Sequence, residues 1–259
     1  MNRIPPFSRR ALLGWGLLVL VGCASPPALP SVLHPSQRIL FIGNSYTFYN
    51  GGLDRVLTQM AQQRGREIAC SAVTSGGKSL EWHWNQGSAR DAIEHSHADW
   101  VVLQDFSLQA LDHRDLMSEY IRQFDSEIKK SGAKTALYMT WARQNRQEDQ
   151  QTITDAYRSI GQQIEATVVP CGVAWQRAIR HRPDITLYRG DNSHPTAEGT
   201  YLNACCLFIA LLGEDPRGLP PLLVYEQNLP PRMLTEGETH FLQQIAWETA
   251  SATPAHAAN

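Results

Sequence analysis

The strongest constraint on this chain is an alternation: short, strongly apolar runs are separated by longer segments whose apolar residues recur every three or four positions. Apolar runs at Arg38–Gly43, Glu67–Val73, Asp99–Gln104, Lys134–Thr140 and Thr167–Cys171 read as five strands. Several are rich in Val, Ile and Leu, as strands covered on both faces require. Helices are expected between them at Leu53–Arg64, Ala89–His95, Asp115–Lys130 and Asp149–Ala166. In the third of these, Ile121, Phe124 and Ile128 form one apolar stripe among charges. A further helix is expected over Pro195–Leu212, with proline in its first turn and Gly213 beyond its end. Thr235-Glu236-Gly237-Glu238 is a capping-box pattern that opens a last helix through Ala250. Strands alternating with helices in this order give a parallel sheet with helices on both sides, a flavodoxin-like three-layer α/β/α sandwich. Between Gly213 and Leu234 lie five prolines, and that stretch reads as a surface strap packed by Leu222, Leu223, Val224 and Tyr225.

The first residues have a different logic. Arg3, Arg9 and Arg10 precede Ala11–Gly22, an uncharged stretch of 12 residues, too short to cross a hydrocarbon core of roughly 30 Å as a helix. It reads as a signal peptide over residues 1–22. Leu20-Val21-Gly22-Cys23 resembles the bacterial lipobox, which makes Cys23 the lipidated first residue of the exported protein, followed by a Pro- and Ser-containing tether to residue 36. Ser8-Arg9-Arg10-Ala11-Leu12-Leu13 also looks like a twin-arginine export signal, so Sec and Tat routes both stay open. Ala24, where an aspartate would favour inner-membrane retention, points by resemblance to the outer membrane facing the periplasm. The folded domain is then expected over residues 37–253, with residues 254–259 as a frayed tail.

Charge narrows the partners. Twenty-three Lys and Arg against 25 Asp and Glu give a net charge of -2, so no basic field exists to gather nucleic acid or anionic lipid, and a lipid anchor is the expected membrane contact. Cys70, Cys171, Cys205 and Cys206 have the spacing of neither a disulfide framework nor a zinc site. They read as small buried side chains, with a bridge from Cys171 to Cys205 or Cys206 open. The histidines form no ligand cluster, so neither a catalytic metal nor a cofactor is expected.

Parallel sheets of this kind place ligands at the carboxyl ends of their strands. The first strand ends Gly43-Asn44-Ser45, a serine delivered at the tip of a glycine turn. It is either a nucleophile or a helix N-cap. Far along the chain, Asp191-Asn192-Ser193-His194 puts a carboxylate three residues before an imidazole. In a turn, that carboxylate can fix the histidine tautomer and leave the second ring nitrogen for a nucleophile. Alone, such a turn serves structure or metal binding as well.

Taken together, Phe41–Ser45, Leu103–Ser107, Tyr138–Arg143 and Asp191–Pro195 resemble the blocks of the SGNH (GDSL-like) hydrolase superfamily, in particular a lipoprotein branch with the phrases FIGNS, LQxxS, YxTWAR and DNSHP. The resemblance implies Ser45 as nucleophile, His194 as general base and acid, and Asp191 as the orienting carboxylate. It also implies an oxyanion hole from the backbone of Ser45, the backbone of Gly77 in the turn Ser75-Gly76-Gly77-Lys78, and the side chain of Gln104. Here Gln104 stands where the family usually has asparagine. Trp82 and Trp141 follow strand ends and are expected to line the cleft against substrate, with His83 as wall. Lys78, Glu81 and Arg143 make that cleft polar, which points to a short acyl group, acetyl foremost, on a carbohydrate or other polar carrier. Two other readings use the same residues: a polysaccharide O-acetyltransferase, and a non-catalytic glycan-binding envelope lipoprotein.

Overall fold

Along the first apolar run Ile39 and Phe41 point to one side and Leu40 and Ile42 to the other, and all four are buried. A strand sealed on both faces needs helices above and below it. The computed structural model, which describes Met1, residues 37–226 and residues 228–252, has that architecture. Cys23, the tether and the tail lie outside the described residues.

Five parallel strands, β1 (Gln37–Gly43), β2 (Ile68–Thr74), β3 (Trp100–Leu103), β4 (Lys134–Tyr138) and β5 (Thr167–Val169), form one sheet in the order β2-β1-β3-β4-β5. After β1 the chain steps to one side, and after β2 it crosses back to the other. The carboxyl ends of β1 and β3 therefore flank the point where the winding reverses, the usual ligand crevice of such sheets.

The helices are α1 (Ser45–Phe48), α2 (Leu53–Gln63), α3 (Leu80–Gln86), α4 (Ser88–His95), α5 (Gln109–Asp112), α6 (Arg114–Lys130), α7 (Gln150–Gln163), α8 (Cys171–His181), α9 (Ala197–Leu212) and α10 (Glu236–Ala252). Ile39 and Phe41 share a core with Leu57 of α2, Trp175 of α8, Phe208 of α9 and Leu242 of α10. Leu40 and Ile42 pack instead with Leu80 of α3, Ile93 of α4, Phe124 of α6 and Tyr157 of α7. The two faces of the sheet thus carry separate cores, the three-layer sandwich expected from the alternation.

Caps set several boundaries. The Thr196 hydroxyl accepts from Gly199 N at 3.2 Å and so starts α9 two residues later than Pro195, and Gly213 ends it with φ 69°. Thr235 and Glu238 make the reciprocal capping box before α10, with Thr235 N donating to Glu238 at 2.9 Å and Glu238 N to Thr235 Oγ1 at 3.2 Å.

Three features differ from expectation. α3 and α8 are helices over stretches to which the sequence reading assigns no element beyond the strand end at Cys171. Their Trp, His, Cys and Ala residues blur the apolar period. The strap contains a hairpin, β6 (Leu223–Glu226) with β7 (Leu229–Met233), antiparallel and with Pro230 and Pro231 in its second strand. Leu222 and Val224 are buried as expected, but Leu223 and Tyr225 are exposed, because successive residues of a strand face opposite sides. The four cysteines of the described residues are free thiols; Cys171 on α8 and Cys205 and Cys206 on α9 are buried in the same core.

Candidate active site

Ser45 is the first residue of α1, directly after β1, and the Asn44 side chain caps that helix by accepting from Tyr46 N at 3.1 Å. The Asn44 amide donates in turn to Lys78 O at 2.9 Å and Asp105 O at 3.4 Å, tying together the segments that follow β1, β2 and β3. Asn44 is therefore the junction of three strand ends.

Beneath it lies Gln104, fully buried. Its Oε1 accepts from Asn44 N at 2.8 Å and from Thr47 Oγ1 at 2.9 Å, and its Nε2 donates to Asp105 O. This corrects the expected oxyanion role of Gln104: fully buried and bonded through both its amide oxygen and its amide nitrogen, it is the floor under Ser45. The extra methylene relative to asparagine is taken up by reaching under β1. A Cβ on Gly43 would sit 2.6 Å from both Gln104 Oε1 and Thr47 Oγ1, so glycine is needed here for close approach. His83, expected as cleft wall, is also buried. Its Nε2 donates to Gly43 O at 2.8 Å, and burial lowers its pKa in spite of that bond, which keeps the ring neutral.

Asp191 and His194 come from the loop between α8 and α9. Arg189 N donates to His194 O and Asn192 N to Arg189 O, both at 2.9 Å, and Asn192 adopts a left-handed φ of 59° to close the turn. In that turn one Asp191 oxygen accepts from Ser193 N at 3.0 Å and His194 N at 2.9 Å, and the other from His194 Nδ1 at 2.6 Å. Partial burial pushes the Asp191 pKa up, but the hydrogen bonds from His194 and Ser193 outweigh it and hold the carboxyl below its ordinary range. A carboxylate only accepts, so the Nδ1 of His194 carries the proton and Nε2 is left with its lone pair. That atom is 2.8 Å from Ser45 Oγ.

Two stretches 149 residues apart meet because α1 and its exit hold the histidine loop. Asn50, with a left-handed φ of 55°, donates to Pro195 O and Thr196 O at 2.9 Å. Tyr49 stacks on the His194 ring at 4.3 Å with 19° between planes, and Tyr46 meets the same ring edge-on at 5.7 Å. Behind the loop Trp141 is 1 % exposed, stacked between Tyr46 at 4.2 Å and Trp175 at 4.0 Å. Its Nε1 donates to Ser193 O at 3.0 Å. The substrate-binding role expected for Trp141 is thereby corrected: the ring is out of reach of any ligand and props the loop that carries His194. Tyr49 was missed by sequence reasoning. Its position four residues after the serine was the one available signal.

Of the remaining expected residues, Gly77 sits in the turn after β2 with φ 68°. Ser75 N donates to Gly43 O at 3.1 Å and ties that turn to the end of β1, two residues before Ser45. Neither Ser45 N–H nor Gly77 N–H is engaged by another group among the described residues. Trp82, on α3, is half-buried and lines an open cleft that begins at Gly77. Among the described residues no three His, Cys, Asp or Glu side chains gather in a way that could hold a metal ion.

No family model and no curated protein matches the chain. Solved structures do. A DUF4886 family protein from Bacteroides uniformis superposes with a TM-score of 0.69 at 18% identity, covering 83% of this chain and 95% of that one. A protein from Slackia heliotrinireducens with a provisional SGNH hydrolase assignment gives 0.55 at 21% identity, covering 68% of this chain and 98% of its own. The chain has the SGNH-hydrolase fold. Within the SGNH fold a third similar structure is a variant of an acetyl-xylooligosaccharide esterase from Geobacillus, with a TM-score of 0.56 at 16% identity over 67% of this chain and 93% of that one. Identities this low carry the fold and leave chemistry to the site itself.

Proposed function

We propose that the protein is a serine esterase that removes a short acyl group, acetyl foremost, from a carbohydrate or similar polar carrier through an acyl-enzyme. The observation that carries this reading is the continuous chain Ser45 Oγ, His194 Nε2, His194 Nδ1, Asp191 Oδ2, closed by hydrogen bonds of 2.8 and 2.6 Å. Glycan binding alone gives no reason for an alcohol, an imidazole and a carboxylate in line.

In the first step the Ser45 oxygen attacks the ester carbonyl carbon while its proton passes to His194 Nε2. Asp191 stays ionised and steadies the imidazolium. The oxyanion that forms is received by the Ser45 and Gly77 N–H groups, which leaves a hole of two backbone donors without the side-chain amide expected from Gln104. His194 then gives its proton to the carrier oxygen as the C–O bond breaks, and the carrier alcohol departs. Water, deprotonated by the same Nε2, attacks the acyl-enzyme; collapse of the second tetrahedral species releases the acid and returns the proton to Ser45. The esterase activity known for the Geobacillus neighbour supports the choice of acetyl ester, as do the polar side chains around Trp82.

The test is reaction with a fluorophosphonate probe and hydrolysis of acetyl, butyryl and octanoyl aryl esters. Labelling of the wild type at Ser45 and a rate that falls with chain length are expected. A wild type that neither reacts with the probe nor hydrolyses any ester would remove the proposal. The lipobox-like stretch ending in Cys23 makes the bacterial envelope the compartment we propose, tested by whether Cys23→Ser releases the protein from the membrane fraction.

A further inference from the structure

Next to the nucleophile the SGNH fold leaves an open cleft of about 570 Å3 between α3 and the corner where α5 turns into α6. It starts at Gly77 and Lys78, and the Lys78 carbonyl is itself bonded to Asn44, the neighbour of Ser45. One end of the cleft is thus fixed to the reacting serine. Its walls have a particular chemistry. Trp82 and Phe106 supply aromatic faces, and three side-chain amides, those of Asn85, Gln86 and Gln109, surround them. Gln109 is only 6 % exposed and lines the cleft wall, where its amide can both donate to and accept from a ligand. The charges at the mouth, Lys78 and Glu81, cancel. Lys78 rests over the Trp82 ring at 5.5 Å on a flexible stem that a ligand can displace.

Aromatic faces surrounded by amides match a pyranose ring, which offers an apolar C–H face to stack and a rim of hydroxyls that donate and accept. We propose that this cleft is the subsite for the carrier of the acyl group, and that the carrier is a neutral oligosaccharide. It would lie with its acylated oxygen at Ser45 and the following sugars running over Trp82 towards Gln109. The proposal rests on the esterase reading for the position of the acyl end, but the sugar subsite can be measured without turnover.

The experiment is calorimetric titration of the Ser45→Ala protein with xylotetraose, cellotetraose and tetragalacturonate. A neutral tetrasaccharide is expected to bind and the polyanion not. Adding Trp82→Ala should weaken that binding by about tenfold or more, as loss of a central tryptophan does in binding sites. Gln109→Ala, whose folding is checked by near-UV circular dichroism alongside, should weaken it severalfold. Binding by none of the neutral sugars, equal binding of tetragalacturonate, or affinity indifferent to both substitutions would overturn the subsite. In turnover, Trp82→Ala in the otherwise wild-type protein should cost about ten times more kcat/KM on acetylated xylotetraose than on 4-nitrophenyl acetate; equal losses count against it. Sugar binding without any ester hydrolysis by the wild type supports the subsite and removes the esterase.

Discussion

The two halves of the candidate active site are held by opposite means. Ser45 stands on a buried polar floor in which Asn44, Thr47, Gln104 and Asp105 are almost completely enclosed and tied to one another. Asp191 and His194 stand on an outward turn, where the Asp191 side chain is 47% exposed. Ser45 is fixed by satisfied amides in a place with low dielectric, where a lost partner is expensive. His194 is fixed by aromatic stacking from Tyr49 and by the Trp141 prop beneath, while the Asp191 carboxylate stays in water. The difference teaches that damage on the two sides should read out differently: through stability on the serine side, through rate on the histidine side.

The largest effect comes from the atom both halves share. Ser45→Ala is expected to abolish probe labelling and lower kcat by about four orders of magnitude or more, with thermal stability near wild type; labelling that persists would place the nucleophile elsewhere. Asp191→Asn should lower kcat by roughly a hundred- to ten-thousandfold, since the imidazolium loses its counter-charge, and circular dichroism should show an intact fold. Gln104→Ala sharpens the comparison. As floor it should lose about 2–4 kcal/mol of unfolding free energy in urea, from the lost side-chain volume and the stranded Asn44 N–H. A variant of unchanged stability with a hundredfold lower kcat would restore Gln104 as an oxyanion donor. Tyr49→Leu should cost about tenfold in kcat with little change in KM, because the imidazole loses its positioning; a change in KM alone would make Tyr49 a substrate contact.

One further effect is of pH. Burial raises the Asp105 pKa from 3.8 to about 6, against the pull of its bonds from Leu80 N and Phe106 N. A raised folded-state pKa contributes stability that is whole below the unfolded value and is lost as pH climbs through the folded one. Wild-type Tm should therefore decline between about pH 4 and 7 relative to Asp105→Asn, which cannot titrate. Parallel curves for the two proteins would show that Asp105 is not the group responsible.

Much of this was legible in the sequence because the relevant signals are local. Apolar runs located the five strands within a residue or two, and the Thr235 capping box located α10. Ser45, Asp191 and His194 were legible since a strand tip and an Asp-x-x-His turn each constrain a few neighbouring residues. What was not legible depends on direction. Gln104 follows the third strand as an oxyanion donor would, but whether its amide points up into the cleft or down under β1 is decided by Asn44 and Thr47, some 60 positions away. The same holds for Trp141: its place after β4 suggested the cleft, and only packing against Tyr46 and Trp175 turned it inward. Tyr49 gave almost no sign, since stacking on an imidazole leaves no pattern along the chain.

The hairpin after α9 has a consequence for the company the protein keeps with its own copies. Pro230 and Pro231 lack N–H groups, so along β7 there is little for another chain's backbone to latch onto. Replacing that pair with residues such as valine or threonine would open a ladder to neighbouring molecules, and fibrous self-association at high concentration is the form that loss would take.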